Sequence, residues 1–317
     1  MNTTTQTDHK ADSPAADYIQ PLYINGMNGR MLHVPGPKNK NREFLLIYGH
    51  HALLERWWGL VENLRELGAV TMPDLPGFGG MDSFFSIGQK PTIDNYADYL
   101  ASFVKMRYKR KRVTIVGISF GFVVATRMLQ RYPELVGKVD LVVSIVGFMH
   151  REDFLFKPKR RADIRIWARI FSAWPVSFFI RYCCLNKFVI KYIYVRTGAG
   201  KKRFDAMESG DFSTLMDFEV KLWQANDVRT HWRTTSEFID IDNCRSTIDL
   251  PVWHVVSKGD HYFNNTVVEQ HMKVVFNKYT QSIMNSKAHT PSVLGDKKEL
   301  SVMLPPALKR ELRKKPG

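Results

Sequence analysis

Three cysteines in 317 residues, two of them adjacent (Cys183 and Cys184), are too few for a disulfide framework and fit a reducing compartment. Long apolar runs are missing as well. The best candidate, IFSAWPVSFFI over 170–180, has only 11 residues, contains Pro175 and lies between Arg169 and Arg181. A bilayer span needs roughly 20 apolar residues, so this segment is not expected to cross one. The opening stretch MNTTTQTDHKADSPAAD has no apolar centre, and neither a leader nor an anchor is expected there. Internal repeats and low-complexity tracts are also lacking. These absences point to a soluble, cytoplasmic protein whose only membrane contact would be peripheral.

Acidic residues are scarce in two places. The formal net charge is +15, yet residues 151–203 carry 14 Lys/Arg against 3 Asp/Glu, and residues 297–317 carry 7 against 2. The rest of the chain is close to neutral. No recognised binding motif accompanies the basic stretches, so a nucleic-acid surface is their weakest reading. With 44% hydrophobic and 24% charged residues, the composition is that of a globular chain able to bury one large core, or a core and a smaller appended unit.

What the sequence does contain is an alternation. YIQPLYINGMNGRMLHV reads as two strands about the turn NGMNG, and EFLLIYG (43–49) as a strand buried on both faces. LERWWGLVENLREL has helical spacing, AVTMP is a short strand, DLPGFGG (74–80) a loop, and Thr92 to Arg107 a helix. RVTIVGISFGFVVATRML (112–129) supplies a strand and a helix, and VDLVVSIVGF another buried strand. The pattern stops near residue 148. It resumes with the strand LPVWHVVSKGD (250–260), the helix NTVVEQHMKVVFN, the strand TQSIMNS and a C-terminal helix. The expected fold class is therefore α/β, with a mostly parallel central sheet, helices on both faces and an inserted, mainly helical segment. The expected organisation is a tail over 1–16, core over 17–147, insertion over 148–235 and core again over 236–317.

GISFG sets Ser119 between Gly117 and Gly121 at a strand-to-helix junction. A serine hydroxyl is a poor nucleophile unless a base takes its proton and its oxygen stands clear of the backbone. A sharp turn lifts the side chain but crowds the positions two before and two after it, and glycine relieves that crowding. A tight turn with an incidental serine is the plain alternative. Three distant features bear on the choice. LLIYGHHA ends a strand with Gly49, so the amide of His50 could pair with that of Phe120 as an oxyanion hole. VVSKGDHYF leaves Asp260 beyond a late strand, where an acid can orient an imidazole. NSKAHTPSV puts His289 after the last strand. Each alone has a bland reading: a glycine-terminated strand, a solvated turn acid, a surface histidine. Their order is serine, acid, histidine, with 141 residues from Ser119 to Asp260 and 29 from there to His289.

On GISFG, YGHHA, DLPGFGG, SKGD and KAHTP the chain resembles the α/β-hydrolase superfamily over roughly residues 17–147 and 236–317. The resemblance implies that Ser119 is the nucleophile, His289 the general base, Asp260 its orienter, and the amides of Phe120 and His50 the oxyanion hole. It also implies a lid-like cap where the insertion lies. One departure is that Tyr48 stands where the family usually has histidine before the glycine. The acid has an alternative in Glu152 or Asp153, which follow the sixth strand. Haloalkane dehalogenases and epoxide hydrolases of this fold need a carboxylate nucleophile, which the serine excludes.

The expected activity is that of a serine hydrolase cleaving an ester-type bond of a hydrophobic small-molecule or lipid substrate, without metal or organic cofactor. His50 and His51 are adjacent rather than spaced as ligands, so no metal site is expected there. Alternatives are a carbon–carbon bond hydrolase, an acyltransferase, or a silent binding protein on the same scaffold. In the insertion, Trp167, Phe171, Trp174 and Phe178 are candidates to line an acyl pocket. The interleaved cations suit peripheral contact with an anionic membrane. The plain reading is that the aromatics pack on the core and the cations are solvated.

Overall fold

The computed structural model describes residues 14–186, 188–190, 192, 212–286, 289–290 and 295–315. Most of the stretch expected as a tail lies outside these residues, although Ala15 is buried. Eight strands form one sheet: β1 (Ile19–Ile24), β2 (Met27–Val34), β3 (Arg42–Ile47), β4 (Gly68–Pro73), β5 (Val113–Ile118), β6 (Val139–Ile145), β7 (Ile248–Ser257) and β8 (Phe276–Met284). Their order is β1-β2-β4-β3-β5-β6-β7-β8. The β1/β2 and β2/β4 pairs are antiparallel, and all pairs from β4 to β8 are parallel.

Position in the sheet explains the strand sequences. Every residue of the central β5 is buried, as its continuous apolar run requires, and its one polar member, Thr114, is bonded to Arg42 and Asp140 at 2.6 and 2.8 Å. The outermost β1 and β8 are largely exposed, and β8 is accordingly rich in polar residues. Pro251 lacks an N–H to donate. It sits at a register shift of β7 against β8, one residue before the ladder with β6 begins at Val252.

Helices lie on both sides of the sheet. They include α1 (Trp58–Arg65), α2 (Ile93–Arg107) and α3 (Phe120–Arg131), with α2 packed on α3. The helical spacing over LERWWGLVENLREL resolves into a 3₁₀ turn, Leu54–Trp57, running into α1. Between β6 and β7 come α4 (Pro158–Ser172), α5 (Trp174–Phe179), α6 (Phe212–Ala225) and α7 (Val228–Phe238). After β7 follow α8 (Asn265–Val275), α9 (Lys297–Leu300) and α10 (Pro306–Arg313). The chain beyond α10 is tied back by Arg42, which donates to the Lys314 carbonyl at 2.9 Å and pairs with Asp140 at 2.5 Å. Among the described residues no helix is long and apolar enough to cross a membrane.

Candidate active site

Ser119 links β5 to α3 with φ 50° and ψ −115°, a left-handed conformation that costs a non-glycine residue about 1–3 kcal/mol. Two close approaches hold it. A Cβ on Gly117 would come within 2.5 Å of Phe122 Cα, and one on Gly121 would strike the carbonyl oxygens of Ile47 and Tyr48. Both neighbours must therefore be glycine for α3 to leave β5 this sharply, and the Ser119 amide is anchored on the Ile145 carbonyl at 2.9 Å. Gly49 plays a different part. A Cβ there would sit 3.4 Å from the Ile118 carbonyl and 3.5 Å from Ser119 Cβ, ordinary contacts, so this glycine leaves room beside the serine. The sharp bend of that loop falls at His51, with φ 55°.

Asp260 and His289 come together. His289 Nδ1 donates to Asp260 Oδ2 at 2.7 Å, and the other carboxylate oxygen accepts the amides of Tyr262 at 2.8 Å and Phe263 at 3.3 Å. Burial raises the pKa of such an acid. The bond and charge of His289, helped by the two amides, outweigh it and hold Asp260 below its ordinary value. The carboxylate thus fixes the tautomer that leaves His289 Nε2 as the lone-pair nitrogen. Asp260 follows β7, His289 follows β8 and Ser119 follows β5, all at the carboxyl ends of parallel strands.

Asp153, the alternative acid, has another partner. Its Oδ1 accepts His271 Nδ1 at 2.5 Å, while Oδ2 accepts the Met149 and His150 amides at 2.7 and 3.0 Å. Glu152 is exposed.

The Phe120 amide directly follows Ser119 and the His50 amide follows Gly49, where a Cβ would meet Ser119 Cβ at 3.5 Å; neither amide is taken up by a backbone carbonyl outside helices and strands among the described residues. The His50 ring turns away from the sheet, with Nε2 2.8 Å from Thr234 Oγ1 and 3.1 Å from the His231 carbonyl. Burial pushes its pKa down to about 4, keeping it neutral. His51 and His231 lie beside it.

The Tyr48 departure has a structural account. Its buried hydroxyl donates to Asp74 Oδ1 at 2.9 Å and accepts the Leu75 amide at 2.8 Å. Arg30 pairs with the other Asp74 oxygen at 2.9 Å and donates to the Gly79 carbonyl. Burial pushes the Asp74 carboxyl up to about 7 against the pull of Arg30. A tyrosine behind β3 thus fastens the DLPGFGG loop, which in turn holds the segment between β6 and β7: Gly79 N donates to Asn226 Oδ1, and Asp227 N to the Gly77 carbonyl, each at 2.8 Å.

Of the four aromatics expected to line a pocket, Trp167, Trp174 and Phe178 are each more than half exposed. Phe171 is partly covered, 4.8 Å from the Trp232 ring and stacked on Trp167 at 5.5 Å. A different aromatic set borders the candidate site. Phe238 of α7 lies 5.9 Å from Phe120 and 6.0 Å from Phe148; Phe148 stacks on Phe263 at 4.6 Å, and Phe263 lies 5.4 Å from His289. The only hint of this wall in the sequence is that Phe148 closes the segment VDLVVSIVGF and Phe263 lies three residues past LPVWHVVSKGD.

A family model described as alpha/beta hydrolase fold matches residues 44–176. No curated protein matches the chain. Among solved structures, a thermophilic esterase from Thermogutta terrifontis is 14% identical, with TM-score 0.63 over 93% of this chain and 100% of its own. An esterase from Exiguobacterium antarcticum is 12% identical, with TM-score 0.65 over 92% of this chain and 97% of its own. The epoxide hydrolase CorEH is 14% identical, with TM-score 0.64 over 93% and 97%. One scaffold thus carries different chemistries in these relatives, and at such identities the likeness speaks to the fold. Sheet order, elbow and likenesses agree: the chain has the α/β-hydrolase fold.

Proposed function

We propose that this chain is a serine hydrolase that cleaves an ester-type bond of a hydrophobic small-molecule or lipid substrate through an acyl-enzyme. The observation that carries the reading is the 2.7 Å bond between His289 and Asp260, at the same sheet end as a serine held at positive φ. Ser119 Oγ attacks the carbonyl carbon as His289 Nε2 takes its proton, and Asp260 stabilises the imidazolium that forms. The amides of Phe120 and His50 donate to the developing oxyanion, aided by the N-terminus of α3. His289 then protonates the leaving alcohol. Water, deprotonated by the same nitrogen, releases the acid. The wall of Phe120, Phe148, Phe238 and Phe263 favours an apolar acyl group over a charged one.

Ile166, Trp167, Trp174, Phe178, Phe179 and Tyr182 each remain more than half exposed along α4, α5 and the turn after them. Lys157, Lys159, Arg160 and Arg169 are exposed nearby. An apolar face rimmed by cations suits an anionic lipid surface, from which a lipid substrate would be drawn. The insertion then acts as a cap, its outer helices meeting lipid and α7 closing over the serine.

A fluorophosphonate probe should label the wild-type protein and not Ser119→Ala. Wild-type protein that takes up no label would turn the reading to the silent binding scaffold. On p-nitrophenyl esters of rising chain length, longer acyl groups should be accepted; hydrolysis confined to acetate would remove the apolar-substrate assignment.

A further inference from the structure

Outside the candidate active site, three side chains converge on the turn that follows β6. His150, Glu152 and His271 each offer one ligand atom, and these atoms all lie within 4.8 Å of one another. The rings of His150 and His271 are 4.7 Å apart, and His150 Nδ1 is 3.8 Å from Glu152 Oε2. On a tetrahedral ion with bonds of about 2.0–2.2 Å, neighbouring ligand atoms stand roughly 3.4 Å apart. From separations within 4.8 Å, closing the set needs no pair to approach by more than about 1.4 Å, and exposed Glu152 has the freedom to move.

The histidine from the far helix is already oriented. His271 Nδ1 donates to Asp153 Oδ1 at 2.5 Å, and Asp153 is fully buried with its other oxygen on two backbone amides. The carboxylate cannot swing away, so His271 keeps its proton on Nδ1 and offers the Nε2 lone pair. This is the arrangement by which an outer carboxylate aligns a metal-binding imidazole. A simple turn cap is the competing account, because His150 Nδ1 accepts the Glu152 amide at 3.3 Å and Asp153 bonds back to the His150 amide. That account covers His150 and Asp153 but not His271, which reaches the turn from 118 residues beyond Asp153. The 3.3 Å bond is also long, so little is lost when Nδ1 turns to an ion.

We propose that His150, Glu152 and His271 bind a divalent first-row transition ion of the zinc type. Two imidazoles and a carboxylate suit such an ion, whereas magnesium and calcium want oxygen ligands throughout. The ion would clip the turn after β6 to α8. That turn already supports the Asp260 loop, since Asn264 N donates to the Asp153 carbonyl at 2.7 Å and Leu155 N to the Tyr262 carbonyl at 2.9 Å. The clip touches no reacting atom, and its binding stands or falls separately from the serine chemistry.

The test is zinc binding to the chelator-stripped full chain, by calorimetric competition, with Cys183→Ser and Cys184→Ser introduced to remove exposed thiols. One equivalent should bind, the midpoint of thermal unfolding should rise, and magnesium or calcium should do neither. Glu152→Gln and His150→Ala should each weaken binding at least ten-fold. His271→Ala leaves Asp153 buried without its partner and so is avoided. Zinc uptake that is absent in the Cys183→Ser, Cys184→Ser protein, or unchanged in both variants, would overturn the proposal.

Discussion

Two aspartate–histidine pairs in this molecule are built alike and placed differently. In each, one carboxylate oxygen holds an imidazole Nδ1 and the other takes two backbone amides: Asp260 with His289, Tyr262 and Phe263; Asp153 with His271, Met149 and His150. Asp260 and His289 sit on the loops after β7 and β8, at the sheet end where Ser119 turns. His271 instead projects from α8, and its ring neighbour is His150. An oriented imidazole is therefore not a catalytic feature in itself. It becomes one when its free nitrogen faces a nucleophile, and becomes a ligand or a brace when it faces another donor.

Parallel substitutions would break this comparison if the two pairs were interchangeable. Asp260→Asn should lower kcat on a p-nitrophenyl ester by roughly 10³–10⁴-fold, since the wrong tautomer of His289 is then held in place, with little change in unfolding midpoint. Asp153→Ala should do the reverse. Removing Asp153 leaves two backbone amides and the His271 Nδ1–H without their acceptor, at about 1–3 kcal/mol for each buried donor left unpaired, read as a lower urea midpoint, while kcat of the folded fraction stays within a few-fold. Equal activity losses in both would mean that the second pair also serves the reaction.

A third class of histidine sharpens the contrast, because it is buried without a carboxylate on its ring. His50 bonds Thr234 and His254 bonds Ser144 at 2.9 Å, and burial pushes their pKa values down to about 4 and about 3. Below pH ~6.5 the unfolded chain takes up protons that the folded chain refuses. Stability should fall as pH drops from about 6.5 towards 4, by roughly 1.4 kcal/mol per pH unit for each histidine, and be fully present above that window. Urea unfolding at pH 7, 6 and 5 measures it, and a flat profile would contradict the burial of these rings. The smallest effect concerns the outer face of the insertion. Trp174→Ser with Phe178→Ser should lower co-sedimentation with phosphatidylglycerol vesicles several-fold and leave hydrolysis of a soluble ester unchanged. Equal sedimentation with neutral phosphatidylcholine vesicles would remove the electrostatic part of the argument.

The elements that depend on near neighbours were legible in the amino-acid sequence. Continuous apolar runs marked β3, β5 and β6, and the glycines around Ser119 marked the elbow, because burial on both faces and a sharp turn restrict residue types locally. Direction was not legible. The apolar residues of α4 and α5 look the same whether they face inwards or outwards, and Trp167, Trp174 and Phe178 face outwards. Pairings over distance were hidden too. Nothing near Asp153 announces His271, and nothing near Tyr48 announces that its hydroxyl reaches Asp74. The positive φ at His51 rather than Gly49 shows that glycine can mark the need for space as well as for an unusual backbone.

The bonds from the DLPGFGG loop to Asn226 and Asp227 fasten the segment between β6 and β7 to the core near its downstream end. Asn226 and Asp227 are stitched to the core loop by a side-chain and a backbone bond, whereas α4 and α5 present most of their surface outwards. Sequence can thus drift on the outward faces of α4 and α5, whereas the inner face of α4 packs on α7, which carries Phe238, and is held to it. A designer grafting a different outer segment onto this scaffold would place the downstream seam just before Asn226.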